Sequence, residues 1–140
     1  MTTAVDSNVF ISLWSGDDEV NRLAETALDE CAGQGRLIIC PAVYCELAAS
    51  PGRDEGFVSE FLRETRVVVD WDLDEGVWRL AGEAFRDYAA RRRKRRDGGP
   101  RRLLADFLIG AHAVRRANRL LTSDEKVFRA AYPGLNTVTL

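Results

Sequence analysis

The sequence predicts an α/β fold, a three-layer α/β/α sandwich around a central, mainly parallel sheet. Short apolar runs alternate with longer amphipathic ones along the chain, which is typical of strands joined by crossover helices. Four carboxylates also stand where an apolar run stops, those of Asp6, Glu46, Asp106 and Asp124. We expect the 140 residues to form one domain without internal repeats.

The apolar runs predict five strands. Each is short, rich in Val, Ile or Leu, and bounded by turn or cap residues, as expected for strands that are buried on both faces. In chain order they are residues 3–5, 37–40, 67–69, 120–121 and 136–140.

The amphipathic runs predict the helices, and their ends carry recognisable signals. Asp17 or Asp18 caps the second helix, which Gly33 and Gly35 end, and Pro41 suits the first turn of the third. Asp72 with Glu75 resembles a capping box for a long helix that Gly98-Gly99-Pro100 breaks. The predicted helices are residues 8–14, one that starts after Asp17 or Asp18 and stops at Gly33 and Gly35, 41 to about 50, 54–64, one that starts after Asp72 and runs to about Arg92, 102–117 and 125–131.

The four carboxylates predict a metal site at the carboxyl edge of the sheet, where open α/β sheets bind their ligands. Acidic side chains are rarely buried unless they are paired or bound to a cation. Four of them in one pocket repel each other without a cation, and hard oxygen ligands favour Mg²⁺ or Mn²⁺ over Zn²⁺. Such an ion suits phosphodiester hydrolysis, because it activates water and neutralises charge on the phosphate.

A basic segment, defined here as residues 91–102, stands out from an acidic chain. It holds 8 of the 20 basic residues and one acid, which leaves 12 basic against 21 acidic residues elsewhere. This division predicts a protein that meets a polyanion at one place. The alternative is a solvated helix end. The residues predicted to contact RNA are Arg91, Arg92, Arg93, Arg95, Arg96, Arg101 and Arg102.

The sequence also indicates the cellular compartment in which the protein is expected. No basic, apolar signal peptide opens the chain, and no apolar stretch approaches the roughly 20 residues of a membrane helix. The three cysteines have no metal-ligand spacing and do not make a complete disulfide set. We therefore expect reduced thiols in a cytoplasmic protein with no membrane contact.

Several motifs occur together in a fixed order. They are Val-Asp-Ser-Asn-Val near the start, Glu-Leu after the second strand, Ala-Asp-Phe-Leu-Ile-Gly-Ala-His-Ala, and Leu-Leu-Thr-Ser-Asp-Glu-Lys-Val-Phe near the end. Over essentially the whole chain this set resembles the PIN-domain ribonucleases, in particular the VapC-type toxins of bacterial toxin–antitoxin pairs.

The resemblance implies a complete set of functional expectations. The acidic quartet would be Asp6, Glu46, Asp106 and Asp124, supported by the polar residues Asn8 and Thr122. These residues would bind Mg²⁺, with Mn²⁺ as a substitute, Glu46 acting directly or through a water. The enzyme would hydrolyse structured RNA such as tRNA, leaving 5′-phosphate and 3′-hydroxyl ends. It would form a homodimer and be blocked by a cognate antitoxin.

Other acids and the single histidine have simpler interpretations. Helix caps are the favoured role of Asp17, Asp18, Asp54, Asp72 and Asp74. His112 lies six residues after Asp106, about 240° around the helix at roughly 100° per residue, and so faces away from it.

Two alternatives belong to other functional classes. A non-catalytic RNA-binding or partner-docking module could use the same fold, but it would have no need for four mutually repelling acids. A receiver-type phosphoacceptor domain would need an acceptor Asp at the end of a central strand and a Lys ending a later one. Asp70 and Lys126 are the nearest candidates.

Overall fold

A five-stranded, all-parallel sheet forms the centre of the molecule, which is known from a computed structural model that describes residues 1–95 and 101–140. The spatial order of the strands is β3-β2-β1-β4-β5. Their bounds are β1 Thr2–Val5, β2 Arg36–Ile39, β3 Val68–Val69, β4 Arg119–Thr122 and β5 Thr137–Thr139. The predicted α/β sandwich is confirmed.

Helices flank the sheet. They are α1 Ser7–Leu13, α2 Asp18–Gln34, α3 Pro41–Ala48, α4 Glu55–Thr65, α5 Glu75–Arg95, α6 Leu104–Arg116 and α7 Glu125–Ala131. Among the described residues, none of these helices has the length and apolar character needed to cross a membrane.

The first strand is the middle of the sheet, and this placement sets the position of the site. Ala4 in β1 pairs with Ile38 on one side and Leu120 on the other. Thr3, Ala4 and Val5 are all buried, so β1 is covered on both faces and shows no alternation between buried and exposed side chains. The residue that follows, Asp6, therefore emerges at the centre of the carboxyl edge.

Three details of the helices differ from the sequence-based prediction. Gly33 lies inside α2, which continues to Gln34 and has Gly35 as its C-cap. Asp74, rather than Asp72, accepts the capping hydrogen bond of α5, from the N–H of Val77 at 3.0 Å. The long helix α5 continues past Arg92 to Arg95, because cationic side chains in a last turn interact favourably with the helix dipole. The predicted break at residues 98–100 lies outside the described residues.

The small face of α6 packs against a helix end. Asp106, Gly110 and Ala113 share this face at helical spacing, which predicts that the face packs close to the sheet. A Cβ at Gly110 would instead collide with the ring of Tyr132, just after α7. The hydroxyl of Tyr132 donates a hydrogen bond to the carbonyl oxygen of Phe107 at 2.7 Å. The missing side chain at Gly110 therefore makes room for an aromatic ring rather than for a strand.

Candidate active site

Asp6 is the most buried acid of the predicted quartet. Its backbone N–H continues the sheet by donating to the carbonyl oxygen of Leu121 at 2.9 Å, and the residue is 5% exposed. Its Oδ1 accepts a hydrogen bond from the backbone N–H of Ser7 at 2.8 Å, and its Oδ2 accepts one from the hydroxyl of Thr122 at 2.8 Å. The carboxylate is thus fixed in one orientation at the end of the central strand.

The pKa of Asp6 reflects its burial and the charges of the neighbouring acids. Burial raises the pKa of Asp6 to about 6, while the hydrogen bonds from Thr122 and Ser7 act in the opposite direction. The negative charges of Glu46 and Asp106 raise this pKa further. Three predicted acids therefore share one electrostatic environment, in which burial and like charges both oppose the ionisation of Asp6.

Glu46 reaches this environment from α3. Its Oε1 accepts a hydrogen bond from the hydroxyl of Ser7 at 3.0 Å, and that hydroxyl lies 3.5 Å from Oδ1 of Asp6. Burial is the main cause that raises the pKa of Glu46, and the charge of Asp106 adds to it. Ser7, itself buried, thus connects the acid after β1 with the acid on α3.

Asp106 enters from the first turn of α6. Its Oδ2 accepts a hydrogen bond from the backbone N–H of Leu103 at 3.2 Å, so the side chain also caps its own helix. A carboxylate at this position interacts favourably with the positive end of the helix dipole. Asp106 therefore caps α6 and also belongs to the group of acids near Asp6.

Asp124, the fourth acid, is paired with a cation. Its Oδ2 lies 3.5 Å from Nη1 of Arg102, and both side chains are partly exposed. Its backbone N–H donates to the hydroxyl oxygen of Thr122 at 3.0 Å. Asp124 precedes α7, but its side chain makes no capping hydrogen bond. The fourth acid is therefore tied to the site through Thr122, and its carboxylate is held by Arg102.

The two polar residues predicted to support the quartet lie within the same network. The Nδ2 group of Asn8 lies 3.4 Å from the hydroxyl oxygen of Thr122, and Oδ1 of Asn8 accepts from the N–H of Ser123 at 3.1 Å. Asn8 thereby joins the start of α1 to the turn after β4.

The sequence matches a known protein family over most of its length. The family model described as the PIN domain matches residues 3–132, nearly the whole chain. The chain belongs to the PIN domain family. No curated protein matches the sequence significantly.

Solved structures share the PIN fold. VapBC2 from Rickettsia felis, bound to a DNA fragment from its promoter, has a TM-score of 0.70 at 18% identity, covering 99% of this chain and 98% of that one. VapBC-1 from nontypeable Haemophilus influenzae has a TM-score of 0.67 at 23% identity, with coverages of 99% and 98%. FitAcB from Neisseria gonorrhoeae has a TM-score of 0.58 at 18% identity, with coverages of 98% and 96%.

The donor atoms of the acidic site determine whether this PIN domain suits a metal ion. Within residues 1–95 and 101–140, no three His, Cys, Asp or Glu side chains are already gathered as an ion-binding group. The nearby donors are nevertheless carboxylate oxygens, which hard divalent cations prefer. The raised pKa of Asp6 is the signature of a buried negative charge that a cation would stabilise. The donor chemistry therefore fits a hard divalent ion, although the described side chains are not gathered around one point.

The arginines of the basic segment lie in different surroundings. Arg92, Arg93, Arg101 and Arg102 line a cavity of about 720 Å³ beside α5 and the start of α6. Arg91 lines a smaller cavity of about 130 Å³ with Lys126, and Arg95 is exposed at the end of α5. Arg96 lies outside the described residues.

Two features of the site are absent from the sequence-based prediction. Ser7 is the first, although its place beside Asp6 at the start of a helix was a usable signal. The second is the pairing of Arg102 with Asp124, which joins residues 22 positions apart. Such a contact depends on how α6 and α7 pack, and no local pattern encodes it.

Three of the five acids predicted to cap helices do so. Asp17, Asp54 and Asp74 accept backbone hydrogen bonds at the starts of helices. The prediction is wrong for Asp18, which lies inside the first turn of α2, and for Asp72, because Asp74 takes that role. His112 is fully buried, and its Nε2 lies 3.1 Å from Oδ2 of Asp70, away from the acids. Because β3 is an edge strand and Asp70 is bonded to His112, Asp70 does not stand where a receiver-type acceptor would.

Proposed function

We propose that this protein is a metal-dependent endoribonuclease, the toxin of a toxin–antitoxin pair. The observation that carries the proposal is the buried Asp6 carboxylate at the end of the central strand of a PIN domain, with Glu46 and Asp106 close enough to raise its pKa. PIN domains are in general nucleases. A buried carboxylate beside two other acids is unfavourable unless a cation neutralises the charges, and this supports a role in binding a metal ion.

The quartet would hold Mg²⁺, for which Mn²⁺ could substitute, through Asp6, Glu46, Asp106 and Asp124. The bound ion would supply an activated water and neutralise charge on the phosphodiester. The chain's own residues position the acids: Thr122 and Ser7 fix Asp6, Ser7 also orients Glu46, and the N–H of Leu103 holds Asp106. Hydrolysis would leave 5′-phosphate and 3′-hydroxyl ends.

The proposed substrate and partners are supported by the basic segment and by the resemblance to VapC-type toxins. The arginines at 91–93, 95, 96, 101 and 102 would contact a structured RNA such as tRNA, since the acidic body alone repels phosphates. The likeness of the fold to VapBC2 and VapBC-1 supports a cognate antitoxin as partner. We further propose a cytoplasmic homodimer in which residues 1–140 act as one nuclease domain.

The alternative is a PIN domain that binds RNA without cutting it. The buried acid disfavours this alternative, because a binding module gains nothing from a carboxylate whose ionisation burial opposes.

Metal dependence is the first test. Incubation of purified protein with tRNA should give specific fragments in Mg²⁺ or Mn²⁺, no fragments in EDTA, and recovery when the ion is restored. Cleavage that persists in EDTA and leaves 2′,3′-cyclic phosphate would contradict the proposed chemistry. Absence of cleavage under all conditions, with RNA binding retained, would favour the non-catalytic alternative.

A further inference from the structure

His112 is a fully buried histidine in the middle of α6 that the proposed hydrolysis does not use. Its Nε2 lies 3.1 Å from Oδ2 of Asp70, the residue that follows β3. Its Nδ1 is also buried and has no hydrogen-bond partner within the described residues. Because a carboxylate accepts, the proton of the neutral ring belongs on Nε2, and Nδ1 carries only a lone pair. The pair joins α6 to residues 70–74, which lead from β3 to α5 and are named here the β3–α5 segment.

A second residue of α6 holds the same segment. Arg116 lies one turn after His112, on the same face of the helix. Its guanidinium lies 3.7 Å from Oδ2 of Asp70 and 3.4 Å from Oδ2 of Asp74. It also donates a hydrogen bond to the carbonyl oxygen of Asp72 at 3.0 Å. Two neighbouring side chains of α6 thus bind the β3–α5 segment at its start, middle and end.

This arrangement suits the neutral ring of His112. A second ring proton would place a buried N–H at Nδ1 without an acceptor, which is unfavourable away from water. Asp70 would attract the imidazolium, but the guanidinium of Arg116 already shares that carboxylate and repels another cation. Burial lowers the pKa of His112, the carboxylate of Asp70 raises it, and the charge of Arg116 lowers it. Protonation of the ring therefore opposes the closed position of the segment.

The charged side chains of the elements packed against α6 are bound elsewhere or face solvent. The partners are Ser7 for Glu46 of α3, Thr122 and Ser7 for Asp6 after β1, Thr3 and Gln34 for Arg119 of β4, and Arg129 for Glu125 of α7. Lys126 of α7 and the charged residues of α5 from Glu75 to Asp87 are exposed. The thiol of Cys40 lies near Asp70, but burial raises the pKa of Cys40 to about 11, so it stays neutral. Asp70 and Arg116 are therefore the charges that act on His112.

The segment itself is placed where a local opening is easy. It follows β3, which has two residues and lies at the edge of the sheet. It carries Trp71, which is 62% exposed and whose ring lies 5.0 Å from that of Tyr44 on α3. Short edge elements with exposed side chains open at a lower free energy than the core does. Release of the segment from α6 would therefore move an aromatic pair at the surface and leave the central strands in place.

We propose that His112 controls a proton-sensitive latch: the neutral ring closes the β3–α5 segment on α6, and the imidazolium releases it. The latch is a property of the fold and does not depend on the proposed nuclease activity. One proton operates it, so each pH unit below about 6.5, the ordinary pKa of histidine, shifts the equilibrium towards the open form by up to tenfold. The open form changes the surface that Trp71 and Tyr44 make together.

The test follows the whole chain in EDTA between pH 5 and pH 7.5 by two methods. NMR follows the ring of His112 without overlap, because the chain has a single histidine. Hydrogen exchange, expressed as protection relative to an unstructured peptide, follows the backbone of residues 70–77. The variant His112→Gln keeps a donor for Asp70 but cannot ionise.

Two further variants complete the design. Asp70→Ala removes the acceptor at a partly exposed position, so it tests the latch even if Gln at position 112 prevents folding. Asp72→Asn is the matched control. It removes a charge from the same segment and keeps the carbonyl oxygen that Arg116 binds.

The ring of the wild type should be neutral at pH 7.5, with its proton on Nε2, and should titrate with a midpoint below 6.5. Protection of residues 70–77 should fall through the same midpoint, by up to tenfold per pH unit, while β1 keeps its protection. His112→Gln should keep the segment protected at every pH, and Asp70→Ala should leave it unprotected at every pH. Asp72→Asn should match the wild type.

A midpoint at or above 6.5 would overturn the proposal, because the site would then favour the imidazolium. So would titration of the ring without any change in the protection of residues 70–77. An equal loss of protection in His112→Gln would assign the effect to Asp6, whose pKa burial raises to about 6. Protection in Asp70→Ala that still falls with pH would contradict the latch as well. A loss that includes β1 to the same extent would assign His112 to global stability instead.

Discussion

The hydroxyl of Thr122, at the end of β4, lies 2.8 Å from Oδ2 of Asp6, at the end of the neighbouring strand β1. The same hydroxyl oxygen accepts the backbone N–H of Asp124 at 3.0 Å. One threonine thus bonds the central acid and positions the backbone of the fourth. Because its hydroxyl donates to Asp6, it favours the ionised carboxylate against the opposing effect of burial.

Thr122→Val should raise the pKa of Asp6 further, because the hydrogen bond that lowers it is lost. The acid limb of the RNA-cleavage pH profile should then move to higher pH. The free energy of unfolding should fall by about 1–3 kcal/mol, since the N–H of Asp124 loses its acceptor. Thr122→Ser keeps the hydroxyl and should behave as the wild type. An unshifted pH profile for Thr122→Val would show that this hydrogen bond does not control the acid.

Asp6→Asn should stabilise the metal-free protein near neutral pH. The pKa of Asp6 is raised from 3.8 to about 6 in the folded protein, so between these values the folded state binds more protons than the unfolded state. Stability contributed by this group therefore falls as pH rises through that window, by at most about 3 kcal/mol. Asn cannot ionise and should abolish this dependence.

Urea unfolding in EDTA at pH 5 and pH 7.5 measures this effect. The difference between wild type and Asp6→Asn isolates Asp6 from His112, whose pKa is lowered by burial. His112 acts in the opposite direction, because stability from a histidine buried in its neutral form is lost as pH falls below its unfolded pKa. A constant difference between the two proteins at both pH values would show that Asp6 is not destabilised by its charge.

Arg102→Gln should increase the affinity of the free protein for Mn²⁺. The guanidinium of Arg102 pairs with Asp124 and competes with any cation for that carboxylate. Because the pair is partly exposed, the gain should be modest, about two- to fivefold. Calorimetric titration without RNA measures it, and Arg95→Gln at the exposed end of α5 is the matched control. Weaker Mn²⁺ binding by Arg102→Gln would instead mean that Arg102 helps to build the site.

Gly110→Ala should destabilise the fold by about 1–3 kcal/mol, because the new Cβ would overlap the ring of Tyr132 in a packed region. Gly82→Ala on α5 is the matched control, since a Cβ there meets no atom within 4 Å. That control should stabilise the protein by roughly 0.5–1 kcal/mol through helix propensity. Equal effects of the two substitutions in urea unfolding would contradict the packing of α6 against Tyr132.

Local patterns in the sequence predict most of the fold and the position of Asp6. The apolar run before Asp6 and the matching runs of β2 and β4 are enough to place that residue at the carboxyl edge of a parallel sheet. The wrong cap of α5 shows where local patterns fail. Asp72 and Asp74 both suit a helix start, and packing determines which of them accepts the N–H of Val77.

The details of the candidate site depend on long-range contacts. The partner of Asp124 could not be predicted, because Arg102 reaches it only through the packing of α6 beside α7. The exposure of Leu103 and Leu104 could not be predicted for a similar reason. Leu103 and Leu104 look like ordinary core residues in sequence, and only the structure leaves them exposed.

The central claim is that the acids around Asp6 carry out metal-dependent RNA cleavage. The most direct measurement is the cleavage rate in Mg²⁺ of wild type, Asp6→Asn, Asp106→Asn and the control Glu30→Gln, an exposed acid on α2. Wild type and Glu30→Gln should cut at the same rate and leave 5′-phosphate ends. The other two should lose more than the roughly 10–100-fold that removal of a group supporting a metal ligand costs. Equal cleavage by all four folded proteins would contradict the claim.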